Sequence, residues 1–397
     1  MLPELEVSFS VSALALGNLS AFYFWSYTSV QLPTGILADT LGPRRLLVGA
    51  AMVSGIGSLM FALADSLWMA SAGRFLVGLG AGFGFVCTLL IVANWFPPRR
   101  LALLSGATMM FGMVGGVVGQ APLSAIVTEY GWRSAMITAG IFSIVLAAAA
   151  WILLRDGRPT DDQGEAQGQG GAGNWSAPSG TQLLAGLGRA LSRRQTWLIA
   201  GFGFFLLPPM FAFGALWGVP YLTQVHGLSR PDAAFSASLV IIGWGVFAPI
   251  VGWLSDRWRR RKPPMVFAAA VNVLTMVLLI YVPGWSPLEI KALLLVNGIA
   301  TAGMVVTFAL GREHNLPGDT GAAIAVVNMA VVGSGAVFQP LVGWVLDMGW
   351  TGGMIGDVRV YSETAYQDAF VVIPAACVIA TILALCIGET RAEAMTD

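Results

Sequence analysis

The chain is a succession of apolar runs, each about as long as a membrane is thick, separated by short polar breaks. Crossing a hydrocarbon core takes about 20 apolar residues in helical conformation. Runs of that order fall at 13–37, 45–64, 68–93, 102–127, 133–154, 197–222, 234–254, 265–283, 289–310, 320–345 and 368–388, which makes eleven spans. Only 11% of the 397 residues are charged, and the mean hydropathy is +0.74. Soluble domains carry roughly 25% charge, so a water-exposed globule is excluded. The expectation is an all-α polytopic membrane protein in contact with the lipid bilayer.

Charge then orients the spans. Alternate breaks hold Arg44 and Arg45; Arg99 and Arg100; Arg155, Arg158, Arg189, Arg193 and Arg194; Arg257 and the run Arg259 to Lys262; and Arg312. With Arg391 these are 16 of the 21 basic residues, while the opposite breaks hold only Arg230, Lys291 and Arg359. Positive charge near span ends stays cytoplasmic. The C-terminus is therefore expected in the cytoplasm and the N-terminus outside, in a plasma (inner) membrane. The net charge is zero, so nothing suggests nucleic acid. Cys87, Cys377 and Cys386 sit in apolar runs, where they read as small hydrophobes. His226 and His314 are far apart in loops and no acidic, nucleophilic or metal-ligating cluster appears. No metal, cofactor or enzymatic centre is expected.

One long polar break divides the chain. Residues 1–154 read as an N-terminal bundle of five spans, 155–196 as a cytoplasmic linker and 197–397 as a C-terminal bundle of six. The linker opens with the Gly/Gln-rich RDGRPTDDQGEAQGQGGAGNWSAPSG, too poor in apolar surface to fold alone. Its second part, TQLLAGLGRALSRR, spaces Leu183, Leu184, Leu187 and Leu191 as a helix does. That pattern suits a short amphipathic helix on the cytoplasmic membrane face, or a plain linker.

A motif recurs in the two parts. Gly35-x-Leu37-x-Asp39, followed by Arg44 and Arg45, is echoed by Gly252-x-Leu254-x-Asp256, followed by Arg257. Gln120-Ala-Pro122-Leu123 is likewise echoed by Gln339-Pro340-Leu341. Repeated halves moving about a central site are a common plan of membrane transporters.

The stretch Gly35-Ile-Leu37-Ala-Asp39-Thr-Leu-Gly42-Pro-Arg44-Arg45 resembles the loop between helices two and three of the major facilitator superfamily of secondary transporters. Arg74-Phe-Leu-Val-Gly78-Leu-Gly80-Ala-Gly82 is similar to that family's fourth-helix motif, and Gly131-Trp132-Arg133 to the segment before its sixth helix. Gly311 to Asp347 resembles the loop after its tenth helix and the eleventh helix. The chain departs from the pattern at Thr40, at Pro43, and at Arg259, which stands where Gly42 has its counterpart. The resemblance implies a two-bundle transporter fold. It also implies that eleven spans are one short of the family's twelve, with residues 1–12 as the external loop after an absent first helix. A misplaced start or a shortened chain would account for that; a real eleven-span protein is the other reading. It further implies that Asp39, paired with Arg44 or Arg45, latches the cytoplasmic gate, and that Asp256 with Arg257 repeats the device.

Inside the spans, Arg74 is the deepest charge, about 10 Å from the outer end at 1.5 Å per residue. It suits an anionic substrate or coupling partner, or its stem snorkels outward. No Asp or Glu falls in mid-span. Together these favour an organic anion over a cationic drug. Candidate cavity residues are Gln31, Gln120, Trp217, Asn297 and Gln339, with Tyr23, Tyr27 and Asn272 beside them; residues of these types in spans are more often helix contacts or interface anchors than ligands. The runs Gly78-x-Gly80-x-Gly82-x-Gly84 and Gly115-xxx-Gly119 read as tight packing faces. The expected function is secondary active or facilitative transport of a small organic solute by alternating access. The partners would be that solute, with or without a coupling ion, and the protein a monomer. The alternatives are a non-transporting receptor or scaffold on the same fold and an inactive shortened transporter.

Overall fold

The computed structural model describes residues 2–31, 33–34, 37, 41–95, 104, 108, 111–112, 114–116, 119, 121–154, 180–316 and 319–393. Gly35, Asp39, Gln120 and 11 of the 26 residues of the 102–127 run lie outside them. Among the described residues the helices are α1 (Leu2–Phe9), α2 (Ala13–Val30), α3 (Pro43–Ala62), α4 (Leu67–Trp95), α5 (Ala121–Leu153) and α6 (Gly180–Ser192). They continue as α7 (Arg194–Leu206), a π-helix (Pro209–Trp217), α8 (Gly218–Gln224), α9 (Arg230–Trp258), α10 (Lys262–Tyr281) and α11 (Pro287–Thr301). A 3₁₀ turn (Ala302–Val305), α12 (Val306–Glu313), α13 (Thr320–Met348), the hairpin β1 (Met354–Ile355) with β2 (Val358–Arg359), α14 (Glu363–Phe370) and α15 (Val372–Cys386) complete the order. Nine helical stretches among the described residues are long and apolar enough to cross a membrane, and the bent pair α1–α2 makes a tenth.

Span ends are written in capping chemistry. Ser12, Ser229, Ser286 and Ser362 each accept a backbone N–H of the helix they open, satisfying a donor that hydrocarbon could not. Proline stands in the first turn of α3, α9, α10 and α11, where no N–H is needed. Pro43, a departure from the family pattern, is thus a favourable helix start. Gly42 before it has φ 80°, a region open to glycine at little cost. Gly131 (φ 79°) breaks α5, so the expected span from 133 begins where the family-like Gly131-Trp132-Arg133 turns the chain.

Residues 2–9 are not a loop: α1 is a helix bent by 112° from α2. It lies across one end of the molecule, with Phe9 and Phe61 both against the Trp132 ring and Ser8 accepting from the Trp132 indole at 3.2 Å.

The helices pack in two groups, α2 to α5 and α7 to α15, that meet mainly where α2 lies along α13. That seam is close. A Cβ on Gly17 would fall 2.7 Å from the Gln339 carbonyl, one on Gly343 2.5 Å from that of Ala13, and one on Gly335 2.9 Å from the Phe24 ring. At the α1 end a single apolar core joins both groups, including Leu16, Phe61 and Trp132 with Phe213, Trp217 and Phe338. At the linker end the cores are separate, one around Leu46, Ala50 and Phe83, the other around Phe202, Met265 and Leu310. The α1 end is sealed between the groups; among the described residues the linker end is not joined by a shared core.

Residues 180–192 form α6, and its described apolar side chains meet protein. Leu187 and Ala190 pack on Ala322 and Ala323 of α13, and Leu191 joins the linker-end core.

Candidate functional site

The glycines of α4 set where its polar groups point. A Cβ on Gly78 would fall 2.1 Å from the Tyr23 carbonyl and one on Gly82 2.3 Å from Val30, so α4 presses against α2; Gly80 presses on Ala50 of α3. Among the described residues nothing lies within 4 Å of a Cβ built on Gly84 or Gly115. One turn before Gly78, Arg74 is half-buried and its guanidinium lies 5.4 Å from the Tyr23 ring centre. Among the described residues no carboxylate pairs with it. From Tyr23 an aromatic series crosses the seam: Tyr23 to Phe24 at 5.2 Å, edge on, then Phe24 to Phe211 at 5.2 Å.

On the far side of that bridge sit two expected residues. Gln339 is 1% exposed and its Nε2 donates to the Phe211 carbonyl at 2.7 Å. Trp217 donates its indole N–H to the Gln339 carbonyl at 2.9 Å. Both donors are therefore committed to backbone, and Gln339 Oε1 is the buried polar atom left without a hydrogen bond among them. Gln31 is half-buried and caps α2, its backbone N–H donating to the Thr28 carbonyl at 3.3 Å. Asn297 lies elsewhere: its Nδ2 donates to Asn272 Oδ1 at 2.6 Å and Thr275 Oγ1 at 2.9 Å, tying α11 to α10. Arg74, Trp217 and Gln339 are thus linked through α2 and the π-helix, and Asn297 belongs to an inter-helix clamp.

The gating motif can be followed in its second copy. Asp256 does not pair with Arg257, which is exposed. Successive helical residues point about 100° apart and cannot face one another. Arg259 takes a left-handed conformation (φ 51°, ψ 37°) and ends α9, and the chain folds back to bring Arg261 to Asp256 at 2.6 Å. Arg261 also reaches Glu313 at 2.5 Å, both side chains nearly fully buried. Thr390 donates to the same carboxylate at 2.5 Å, and Glu389 accepts the backbone N–H groups of Arg261 and Lys262 at 2.7 and 3.0 Å. Burial opposes the charge on Arg261, yet Glu313 and then Asp256 hold it above its ordinary range. This cluster joins α9, α10, α12 and the C-terminal segment, all within one group of helices. Among the described residues a Cβ on Gly252 would meet nothing nearer than Val305 at 3.8 Å.

In the first copy, Arg44 donates to the Trp151 carbonyl and its guanidinium lies 4.3 Å from that ring. Arg45 is exposed. Asp39 and Gln120 lie outside the described residues. Residue spacing gave no sign of Arg261, Glu313, Thr390 or the π-helix; the Pro208-Pro209 pair was the one available hint of irregular helix.

A family model described as the Major Facilitator Superfamily matches residues 1–340 and again 209–394. Among characterised sequences, the chain is 23% identical over 259 residues to a probable sulfoacetate transporter of Cupriavidus necator, covering 65% of this chain and 60% of that one. It is 28% identical to the 4-hydroxybenzoate transporter of Pseudomonas putida, over 68% of this chain and 64% of that one. A gentisate transporter of Corynebacterium glutamicum is 22% identical over 92% of this chain and 80% of its own length. The chain thus spans about three fifths of the length of the first two relatives. Among solved structures, a bacterial homolog of the human lysosomal transporter Spinster, inward-facing and unoccupied, superposes with a TM-score of 0.74 at 16% identity, over 96% of this chain and 89% of that one.

Proposed function

The chain belongs to the Major Facilitator Superfamily, and on that premise we propose that it carries a small organic anion across a membrane by alternating access. The observation that carries the reading is Arg74: a half-buried cation on a membrane-spanning helix, set over Tyr23, with no carboxylate partner among the described residues. A charge so placed is costly unless something neutralises it, and an anionic substrate does so. The printed names of three relatives, transporters of sulfoacetate, 4-hydroxybenzoate and gentisate, point to the same class.

In this reading 1–154 and 197–397 are the two rocking bodies and 155–196 joins them. The positive-charge bias puts the α1 end outside and the C-terminal segment in the cytoplasm of an inner membrane. The seam along Gly17 and Gly343 is then the closed outer gate. The Arg261–Glu313 cluster keeps the C-terminal body rigid at its inner end, and Arg44 on Trp151 does so for the N-terminal body. The test is uptake of 4-hydroxybenzoate, gentisate and sulfoacetate into proteoliposomes. Losing a charge-assisted contact of about 1.5–3 kcal/mol, Arg74→Ala should cut uptake about 10- to 100-fold, with Arg74→Lys retaining part. Equal uptake by Arg74→Ala would sink the anion reading.

A further inference from the structure

Asp347 stands one helical turn beyond Gly343 on α13, and residues four apart share a face of a helix. The glycine admits the backbone of α2, since a Cβ there would fall 2.5 Å from the Ala13 carbonyl. The carboxylate then accepts the N–H groups of Ala13 at 3.0 Å and Leu14 at 2.8 Å, the first two residues of α2. Ser12 serves the next two: its hydroxyl accepts from Ala15 at 3.4 Å and its carbonyl from Leu16 at 3.1 Å. A helix leaves four N–H groups open at its start. Here two are met locally and two by a carboxylate from the other group of helices.

Asp347 also has partners within its own group. The Arg359 guanidinium lies 3.2 Å from its Oδ1 and the Tyr361 hydroxyl 3.4 Å from it, both on the segment that follows α13. Arg359 is held in turn by the Trp350 ring at 4.2 Å, and its backbone N–H donates to Glu6 at 2.9 Å. The Asp347 side chain is 19% exposed with the α1 end sealed, so water already reaches it. While closed, the contact has the strength of a carboxylate on a helix start. When it parts, the carboxylate keeps its arginine and the two N–H groups of α2 turn to water. Neither side is left a bare charge, so the contact can be broken and remade.

Gly343 and Asp347 repeat the spacing of Gly35 with Asp39 and of Gly252 with Asp256, at the opposite end of the molecule. The segment Pro340-Leu341 to Gly349-Trp350 also has a counterpart in Pro122-Leu123 to Gly131-Trp132. There Ala125 and Glu129 stand at the two positions, and Glu129 is exposed. The pairing of glycine with carboxylate is thus confined to the copy that lies along α2.

We propose that Asp347 is the latch of the outer gate: it holds α2 by its first turn, and its release lets the α1 end open. The inference rests on the alternating-access reading and adds to it the residue that sets how readily that end opens.

The test replaces Cys87, Cys377 and Cys386 and introduces Val342→Cys, fully buried on α13 in the core common to both groups. Its labelling by an impermeant maleimide reports opening of the α1 end. Asp347→Ala should speed labelling about tenfold or more. Asp347→Asn, which keeps one acceptor oxygen, should lie between it and the parent. Ser12→Ala removes a cap from the same turn of α2 without touching a contact between groups, and should leave labelling near that of the parent. Unchanged labelling in both Asp347 variants would overturn the proposal. Equal acceleration by Ser12→Ala would overturn it too, by showing a plain helix cap. In proteoliposomes, a larger outward-open fraction should lower the external 4-hydroxybenzoate concentration that gives half-maximal uptake by Asp347→Asn, and Ser12→Ala should not share the change. An unaltered half-saturation in Asp347→Asn would remove the latch from the transport cycle. No uptake of any of the three anions, with the labelling contrast intact, would count against transport and leave the latch standing, so the two failures are distinguishable.

Discussion

Gly17 of α2 and Gln339 of α13 meet so closely that a single added carbon on the glycine would lie 2.7 Å from the glutamine carbonyl. Backbone cannot yield there as a flexible side chain can. Gly17→Ala should therefore disfavour the sealed α1 end by about 1–3 kcal/mol. Leu16, 4% exposed beside it, reports the change. Labelling of Leu16→Cys by an impermeant maleimide should rise about tenfold per 1.4 kcal/mol, and labelling equal to that of the parent would refute the steric argument.

The buried pair Arg261–Glu313 should dominate stability at the linker end. Glu313→Ala leaves a guanidinium buried without its main partner and should cost about 3–5 kcal/mol. Arg257→Ala, on an exposed side chain, should change stability by less than about 0.5 kcal/mol. Thermal unfolding in detergent ranks the two, and similar losses would contradict the assignment of Arg261 as the Asp256 partner.

Helix lengths were legible because lipid leaves so few alternatives: an apolar run bounded by charge must be a helix, and α3 and α10 fall almost where the runs at 45–64 and 265–283 put them. Side-chain partnerships were not. Asp256 looked paired with its neighbour Arg257 until the left-handed turn at Arg259 delivered Arg261. Glu6 and Arg359 are joined across almost the whole chain, and nothing in local spacing can show that. Polar residues in spans carry the same letters whether they face a substrate or another helix. Asn297 turned to Asn272, and Trp217 to a backbone carbonyl.

Arg259 occupies the position corresponding to Gly42, and both have positive φ. Only the glycine does so at little cost. Arg259→Gly should stabilise the protein by up to about 1 kcal/mol, seen as a higher unfolding midpoint; a lower one would show that the arginine makes a contact worth more than its strain.

The docking of α6 should be acid-sensitive. Arg189 bonds Asp319 at 2.6–3.0 Å and holds its carboxyl below the usual range, with burial opposing. A depressed value means that the contact contributes fully above the ordinary carboxylate range, near 3.9, and fades as pH falls below it. A nitroxide at Ser192→Cys should become mobile over that acid interval, and in Asp319→Asn should be mobile at every pH. Mobility independent of pH in the parent would reject the ion pair as the anchor.

The π-helix is not a self-contained rod. Its Phe211 carbonyl is bonded by a glutamine from α13, and its Trp217 returns a bond to that glutamine's own backbone. In hydrocarbon no water can replace either bond once broken. Any sliding of α13 along its axis must drag Pro209–Trp217 with it or strand both donors. The two segments are therefore geared: a stroke made by one is delivered to the other, together with the aromatic bridge that leads back to Arg74.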